Sequence, residues 1–248
     1  MKDNFSLQSD EYAKFRPTYP AEFFNYLNAI LPKKENAWDC GTGNGQVAFE
    51  LAKTFNNVFA SDISQSQIDN ARKANNIKYS VQPAEKTNFE NNKFDLIIVA
   101  QAIHWFDFQN FYTEVKRIAR AEARLCVLGY GRIEISSEID ALITDFYTKI
   151  IGKYWDSERR FIDENYETIP FPFEEIKTPQ FVNRHKWNLT HLIGYLNTWS
   201  AVKHYIKQNN ENPVEALKTQ LEKHWKKEEV KEVSFPILLR LGMLKGNN

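Results

Sequence analysis

Short apolar runs and amphipathic stretches alternate along this chain, regularly as far as about residue 130. In residues 20–30, Phe23, Phe24, Leu27 and Ile30 recur at helical spacing, with Pro20 where a first turn tolerates proline. Residues 36–40 predict a short strand, and 47–55 a helix with Val47, Leu51 and Phe55 on one side. A strand over 58–61 follows. Ser64 then begins S-x-x-Q, a capping box opening a helix that carries Ile68 and Ala71. Residues 77–81 predict a third strand. Residues 94–100, FDLIIVA, predict a fourth, continuously apolar as a strand buried on both faces should be. Phe111, Val115 and Ile118 mark the next helix, and 124–128 a fifth strand. Strands and helices alternating at this pace predict right-handed βαβ units around a parallel sheet.

Beyond residue 130 the rhythm breaks. The pattern predicts helix over 138–154, loop over the Pro- and aromatic-rich 166–179, strand over 181–187, helices over 189–207 and 214–225, and a last strand over 231–241. Pro236 argues against a central place for that strand but allows an edge or a bulge. With no repeat or low-complexity linker between them, the later segments read as additions to the same domain that shape a lid or pocket wall.

Composition narrows the picture. A chain of 248 residues buries enough surface to need no metal or disulfide. Lysine plus arginine equals aspartate plus glutamate at 32 each, so no overall basic field invites a nucleic-acid backbone. Cys40 and Cys126 sit in apolar, strand-like segments and read as buried thiols of a reducing compartment. The five histidines form no metal signature. The basic run from Lys223, with His224 and Trp225, is followed at once by acids and reads as a solvated helix end. The start of the chain has no hydrophobic signal core, and no apolar stretch reaches spanning length, so a cytoplasmic protein is the expectation.

The chemistry gathers at WDCGTGNGQ. Its glycines fall at 41, 43 and 45, not at the spacing of a dinucleotide fingerprint, and no lysine ends the turn as a phosphate loop requires. What remains is a turn where backbone can approach a ligand beneath a helix N-terminus. Asp62 follows at the end of the next strand, where an acid can accept both hydroxyls of a ribose. The residues therefore point to an adenosine-containing ligand without a pyrophosphate.

In this order, WDCGTGNGQ, ASDIS, PAEKTNF and FDLIIVAQAIHWFDF resemble the motifs of the class I S-adenosylmethionine-dependent methyltransferases, over residues 5–130. YAKFRPTYP and AQAIHWFDF resemble more narrowly a subgroup that includes trans-aconitate methyltransferases and related small-molecule enzymes. The resemblance implies an α/β, Rossmann-like class I methyltransferase fold: a central, mostly parallel seven-stranded sheet, helices on both faces, and a helical insertion forming a lid. One domain is expected over 1–248, with 1–35 an N-terminal cap, 36–130 the cofactor-binding core, and 131–248 substrate-side helices and terminal strands. The cofactor implied is S-adenosyl-L-methionine. Gly41, Gly43 and Gly45 would line its methionyl part and Asp39 would orient its amino group. Asp62 would hold the ribose, Ile63 would lie against adenine, Ala84 and Glu85 would sit at the purine edge, and Gln101 and Ala102 would flank the methionyl arm. Tyr12 and Arg16, four apart in the leader, are candidates for the cofactor carboxylate or the substrate. One turn departs from the pattern: Ala121-Glu122-Ala123 stands where relatives often carry Pro-Gly-Gly, so its geometry is expected to differ.

For the acceptor, His104 beside Trp105 has two readings, a base or hydrogen-bond partner of the substrate, or a packed histidine. Trp155, Arg159, Arg160, Trp199 and Tyr205 would build an aromatic wall with a cationic grip, although aromatics at helical spacing, Trp199 above all, are also what a core needs. The subgroup resemblance favours a small carboxylate-bearing acceptor, which needs no base near neutral pH. Two alternatives stand beside it: a hydroxyl- or carbon-directed methyltransferase of quinone-type biosynthesis, and a non-catalytic cofactor-binding regulator. The partner expected is a small molecule, without nucleic acid, membrane or metal, and the assembly a monomer or weak homodimer.

Overall fold

A computed structural model describes residues 14–244. Five parallel strands form the heart of its sheet: β1 (Asn36–Cys40), β2 (Asn57–Asp62), β3 (Ile77–Val81), β4 (Phe94–Ala100) and β5 (Ala119–Tyr130). A long strand β8 (Val230–Met243) adds antiparallel to β5, and the two-residue β6 (Glu174–Glu175) adds to β8. The order is β3-β2-β1-β4-β5-β8-β6, with β7 (Val182–Asn188) paired to the other half of β8. Strand order reverses between β1 and β4, which opens a crevice at the carboxyl ends of those two strands.

The apolar run of β4 is explained by its two faces. Ile97 and Val99 join Trp38, Phe94 and Val127 under α4 (Phe108–Ile118), whose Phe111, Val115 and Ile118 face inward. Leu96 and Ile98 point the other way, against Phe23 and Leu27 of α1 (Ala21–Ile30) and Val47 and Leu51 of α2 (Gln46–Leu51). Helices therefore cover both faces, as a parallel sheet requires. Between β2 and β3, α3 (Gln65–Asp69) starts at Ser64, whose hydroxyl accepts from the Gln67 N–H. Cys40 and Cys126 are buried free thiols, and burial pushes both pKa values up.

After β5 a third cluster forms around Trp187, Tyr195, Trp199, Trp225 and Phe235. It is built from α5 (Ser137–Asp145), α7 (Leu189–Asn197), α8 (Ser200–Asn209) and α9 (Val214–Leu221), while α6 (Arg160–Asp163) packs its Ile162 into the cluster under α4. Here the periodicity overran the elements. Helix 138–154 becomes α5, one π turn and a 3-10 turn, and helix 189–207 breaks at Thr198 and Trp199. The break has a cause: the Arg16 guanidinium donates to the Thr198 carbonyl and hydroxyl, and Thr198 Oγ1 donates to the Tyr195 carbonyl. Helices 47–55 and 64–71 are likewise shorter, ending at Leu51 and Asp69.

The sheet carries eight strands among the described residues, one more than expected: seven on the path, the last of them β6 inside the stretch read as loop, and β7 off the path where 181–187 was expected as a strand. Pro236 sits where β8 changes partner, from β7 up to Pro236 to β5 from Ile237 onward. It has no N–H to donate there, and its carbonyl accepts from Gly131 (2.8 Å). At the Ala-Glu-Ala turn the chain takes a positive φ without glycine, at Glu122 (φ 63°), and β5 starts early at Ala119 with a shift of register against β4. Among the described residues no helix is long and apolar enough to cross a membrane.

Candidate active site

The glycine turn after β1 is left-handed three times, with φ of 69°, 54° and 75° at Gly41, Gly43 and Gly45. A side chain at Gly41 would put its Cβ 2.7 Å from the Cβ of Ala102, so the turn lies tight against the residues that follow β4. At Gly43 a Cβ would meet only Gln67 Oε1, at 3.8 Å, so this backbone faces open space. Asp62 fastens the turn from the end of β2: Oδ2 accepts from the Gly43 N–H (2.9 Å) and Oδ1 from the Ser64 N–H (3.0 Å).

Asp39 is fully buried beneath the turn. Its Oδ2 accepts from Thr42 Oγ1 (2.5 Å) and the Ala48 N–H (2.9 Å), whereas Oδ1 has no hydrogen-bond partner. Burial raises its pKa from 3.8 to about 7, against the pull of those two hydrogen bonds. A buried carboxylate oxygen left in this way is a receptor for a donor, best a cation. Asp39, Asp62, Ile63, Gln101 and Ala102 all border the same cleft as the turn. Gln101 also takes a positive φ of 55°, a strained choice for this residue type and one that clusters at functional sites.

Behind Gln101 and Trp105 lies a second compartment, and Arg16 lines both. Arg16 is set by Tyr130 Oη (3.0 Å) and Thr198 Oγ1 (2.9 Å). Arg159 donates from Nε to Tyr147 Oη (2.8 Å), with its guanidinium over the rings of Tyr147 and Trp155. His104 stands here almost wholly buried, its Nδ1 3.4 Å from Tyr166 Oη. Burial, and then the charge of Arg159, pull its pKa down to about 3, so the imidazole is neutral at physiological pH.

Several expected residues stand elsewhere. Arg160 is exposed and stacks on Phe161. Trp199 is 4% exposed and packs with Phe146, Tyr147, Trp155 and Tyr195, a core position behind the compartment wall. Tyr205 packs on Tyr154. Ala84 is buried among Trp38, Phe89 and Phe106, and Glu85 accepts from the Asp107 N–H, so neither borders the cleft. Tyr12 lies outside the described residues. Sequence reasoning missed Asp156, Ile162 and Ser200 in the second compartment, and Tyr130 and Thr198 as the holders of Arg16. No local pattern marks these; only the packing of distant segments brings them in.

Comparison with known proteins agrees with this geometry. The family described as methyltransferase domain matches residues 38–127. A methyltransferase-named protein of Dictyostelium discoideum is 34% identical over 96% of this chain and 94% of its own length. The chain belongs to the class I S-adenosylmethionine-dependent methyltransferases. A solved structure from Anaeromyxobacter dehalogenans, named as a type II methyltransferase, superposes with a TM-score of 0.87 at 34% identity, covering 94% of this chain and all of that one. A Rickettsia prowazekii relative named as a ubiquinone/menaquinone biosynthesis C-methyltransferase is 28% identical, over 61% of this chain and 64% of that one.

The cofactor of this methyltransferase is S-adenosylmethionine, and the cleft suits it on its own terms. The ligand brings an ammonium group, a ribose diol and no phosphate. The cleft offers an unpartnered buried carboxylate oxygen, an acid at a strand end and a glycine turn without lysine.

Proposed function

We propose that this methyltransferase acts on a small carboxylic acid, held in the compartment of Arg16 and Arg159 and methylated on a carboxylate oxygen. One observation carries the reading: two guanidiniums border a compartment that shares Arg16, Gln101 and Trp105 with the cofactor cleft. Arginine presents a planar fork matched to a carboxylate. Arg159 is fixed through Nε alone, and its Nη1 and Nη2 make no hydrogen bond to the described residues, so both remain for an anion.

On this reading Asp39 takes the cofactor's amino group through Oδ1, Gly43 offers open backbone, Asp62 takes the ribose diol and Ile63 lies against adenine. Gln101 and Ala102 border the methionyl arm. When bound, S-adenosylmethionine supplies a methyl group activated on a sulfonium. The chain's share is alignment: Arg16 and Arg159 orient the acid, while Trp105 and Trp155 keep water from the line of transfer, a contribution that can be large for a displacement. His104 lends a neutral ring wall. The Rickettsia relative's name raises a carbon acceptor as the second reading, but that acceptor wants a base tuned near neutrality, and an imidazole held near a pKa of 3 is a poor one.

The deciding experiment offers labelled cofactor with di- and tricarboxylic acids in one set and quinone precursors in another. Label is expected on acids alone. Arg159→Ala should raise the KM for the acid by roughly 10- to 100-fold, the scale of a lost charge-assisted pair of hydrogen bonds, with S-adenosylhomocysteine affinity unchanged. Label on quinone precursors alone would overturn the reading.

A further inference from the structure

Gly194 stands in the interior of α7, where alanine would favour the helix by about 1 kcal/mol. It does not cap the helix, which ends at Thr198, and it takes no positive φ. What it does is leave room. A Cβ there would lie 2.4, 2.5 and 2.6 Å from Cε1, Cδ1 and Cζ of Phe15, so the ring of this leader residue rests on bare helix backbone. The same face of α7 receives the leader at every turn. His191 meets the Phe15 ring edge to face, with centroids 5.3 Å apart. Tyr195 lies under the Arg16 guanidinium at 5.4 Å, and Thr198 accepts from that guanidinium. Positions 191, 194, 195 and 198 form one helical stripe. Further along the leader, Asn183 Nδ2 donates to the Thr18 carbonyl, and Tyr19 packs on Phe23 and Tyr130. Between these ties, Arg16, Pro17 and Tyr19 form one wall of the cofactor cleft.

We infer that Gly194 and Phe15 are positioning residues for methyl transfer: the ring seated on the bare helix fixes where the leader wall stands against the cofactor. Neither residue lines the cleft, so both act through Arg16 and Pro17, which follow Phe15 directly and do line it. Pro17 locks its own φ and restricts Arg16 before it, so a shift at Phe15 is passed on rather than absorbed. The same shift reaches the second compartment, because Arg16 borders that as well. A glycine that costs α7 helix stability is thereby given a use. The inference needs the cofactor cleft and is independent of the carboxylate reading.

The test follows S-adenosylhomocysteine binding, by calorimetry and stopped flow, in Gly194→Ala, Phe15→Ala and the double variant. No acceptor is present, so the outcome does not touch the carboxylate reading. Gly194→Ala favours the helix but unseats the ring. It should lower affinity about tenfold through a faster off-rate, with the on-rate within about twofold of the wild type. Phe15→Ala should show the same loss. Added to Phe15→Ala, Gly194→Ala should cost less than about twofold more, because the contact it breaks is already gone. Chemical denaturation alongside separates positioning from support. A contact that only supports the fold would lower the unfolding midpoint and leave the off-rate of the folded protein unchanged, and that result would overturn the inference. Losses that simply add in the double variant would overturn it too. Should Gly194→Ala fail to fold, Phe15→Ala decides by itself, and a normal affinity and off-rate there would sink the proposal.

Discussion

The cofactor cleft and the compartment proposed for the acceptor meet at Gln101 and Trp105, yet they are made of different materials. The cleft is mostly backbone, a left-handed glycine turn fastened by Asp62 over a buried Asp39. The compartment is mostly side chain, with Arg16 from the leader, His104 and Trp105 after β4, Asp156 and Arg159 from the turns before α6, and Ser200 from α8. A backbone site is fixed by torsion angles and suffers from one added methyl. A side-chain site can change its contents while its walls stand. The first suits the fixed cofactor, and the second, on the proposed reading, the acceptor.

Gly41→Ala puts the harshest strain on that contrast. A φ of 69° costs an alanine about 1–2 kcal/mol. Its Cβ against Ala102 adds roughly 1–3 kcal/mol of overpacking. Chemical denaturation should read the loss in stability, and calorimetry a fall in S-adenosylhomocysteine affinity of about a hundredfold. A variant that binds normally would show that the turn tolerates substitution after all.

The buried Asp39 sharpens the comparison through pH. Between about pH 4 and 7 the folded protein keeps a proton that the unfolded chain has lost, so this group makes stability fall as pH rises through that window and level off above it. A cationic amino group against Oδ1 opposes the effect of burial and expels the proton. Affinity for S-adenosylhomocysteine should therefore rise roughly tenfold between pH 6 and 8 and then flatten. Calorimetry at pH 6 in buffers of differing ionisation enthalpy should count proton release, absent in Asp39→Asn. Binding without release in the wild type would move the amino group away from this residue.

The smallest effect is expected at His104. The imidazole is already neutral and its contact with Tyr166 is long, so His104→Gln should change the rate with an acid acceptor by no more than about threefold. A loss of a hundredfold or more, with a lost ionisation in the pH–rate profile, would make it a base.

Much of the cleft was legible because it is local. Strands 36–40, 77–81 and 94–100 stand where the apolar pattern puts them, and Gly41, Gly43 and Asp62 border one cleft, whereas Gly45 faces Tyr79 and Arg72 instead. The compartment was only partly legible. Arg16, Trp105, Trp155 and Arg159 border it, but Arg160 and Trp199 carry the same residue types without the position. An arginine one residue away turns to solvent, and nothing in RRF says which of the two does so. The split between α7 and α8 was hidden for the same reason, since Arg16 breaks that helix from far away in the chain.

β8 carries a consequence for how the chain is assembled. Among the described residues it follows every other element in sequence, and β5, β6 and β7 all pair with it. Until Val230–Met243 has emerged, β5 has an open edge, β6 and β7 have no ladder, and the cluster around Trp187 lacks Phe235. The cluster behind the compartment proposed for the acceptor therefore closes through long-range strand pairing, the kind of contact whose loop entropy slows folding. During synthesis, nucleotide-fold order can come early to the five parallel strands, while substrate selectivity waits for the last strand to thread between its partners.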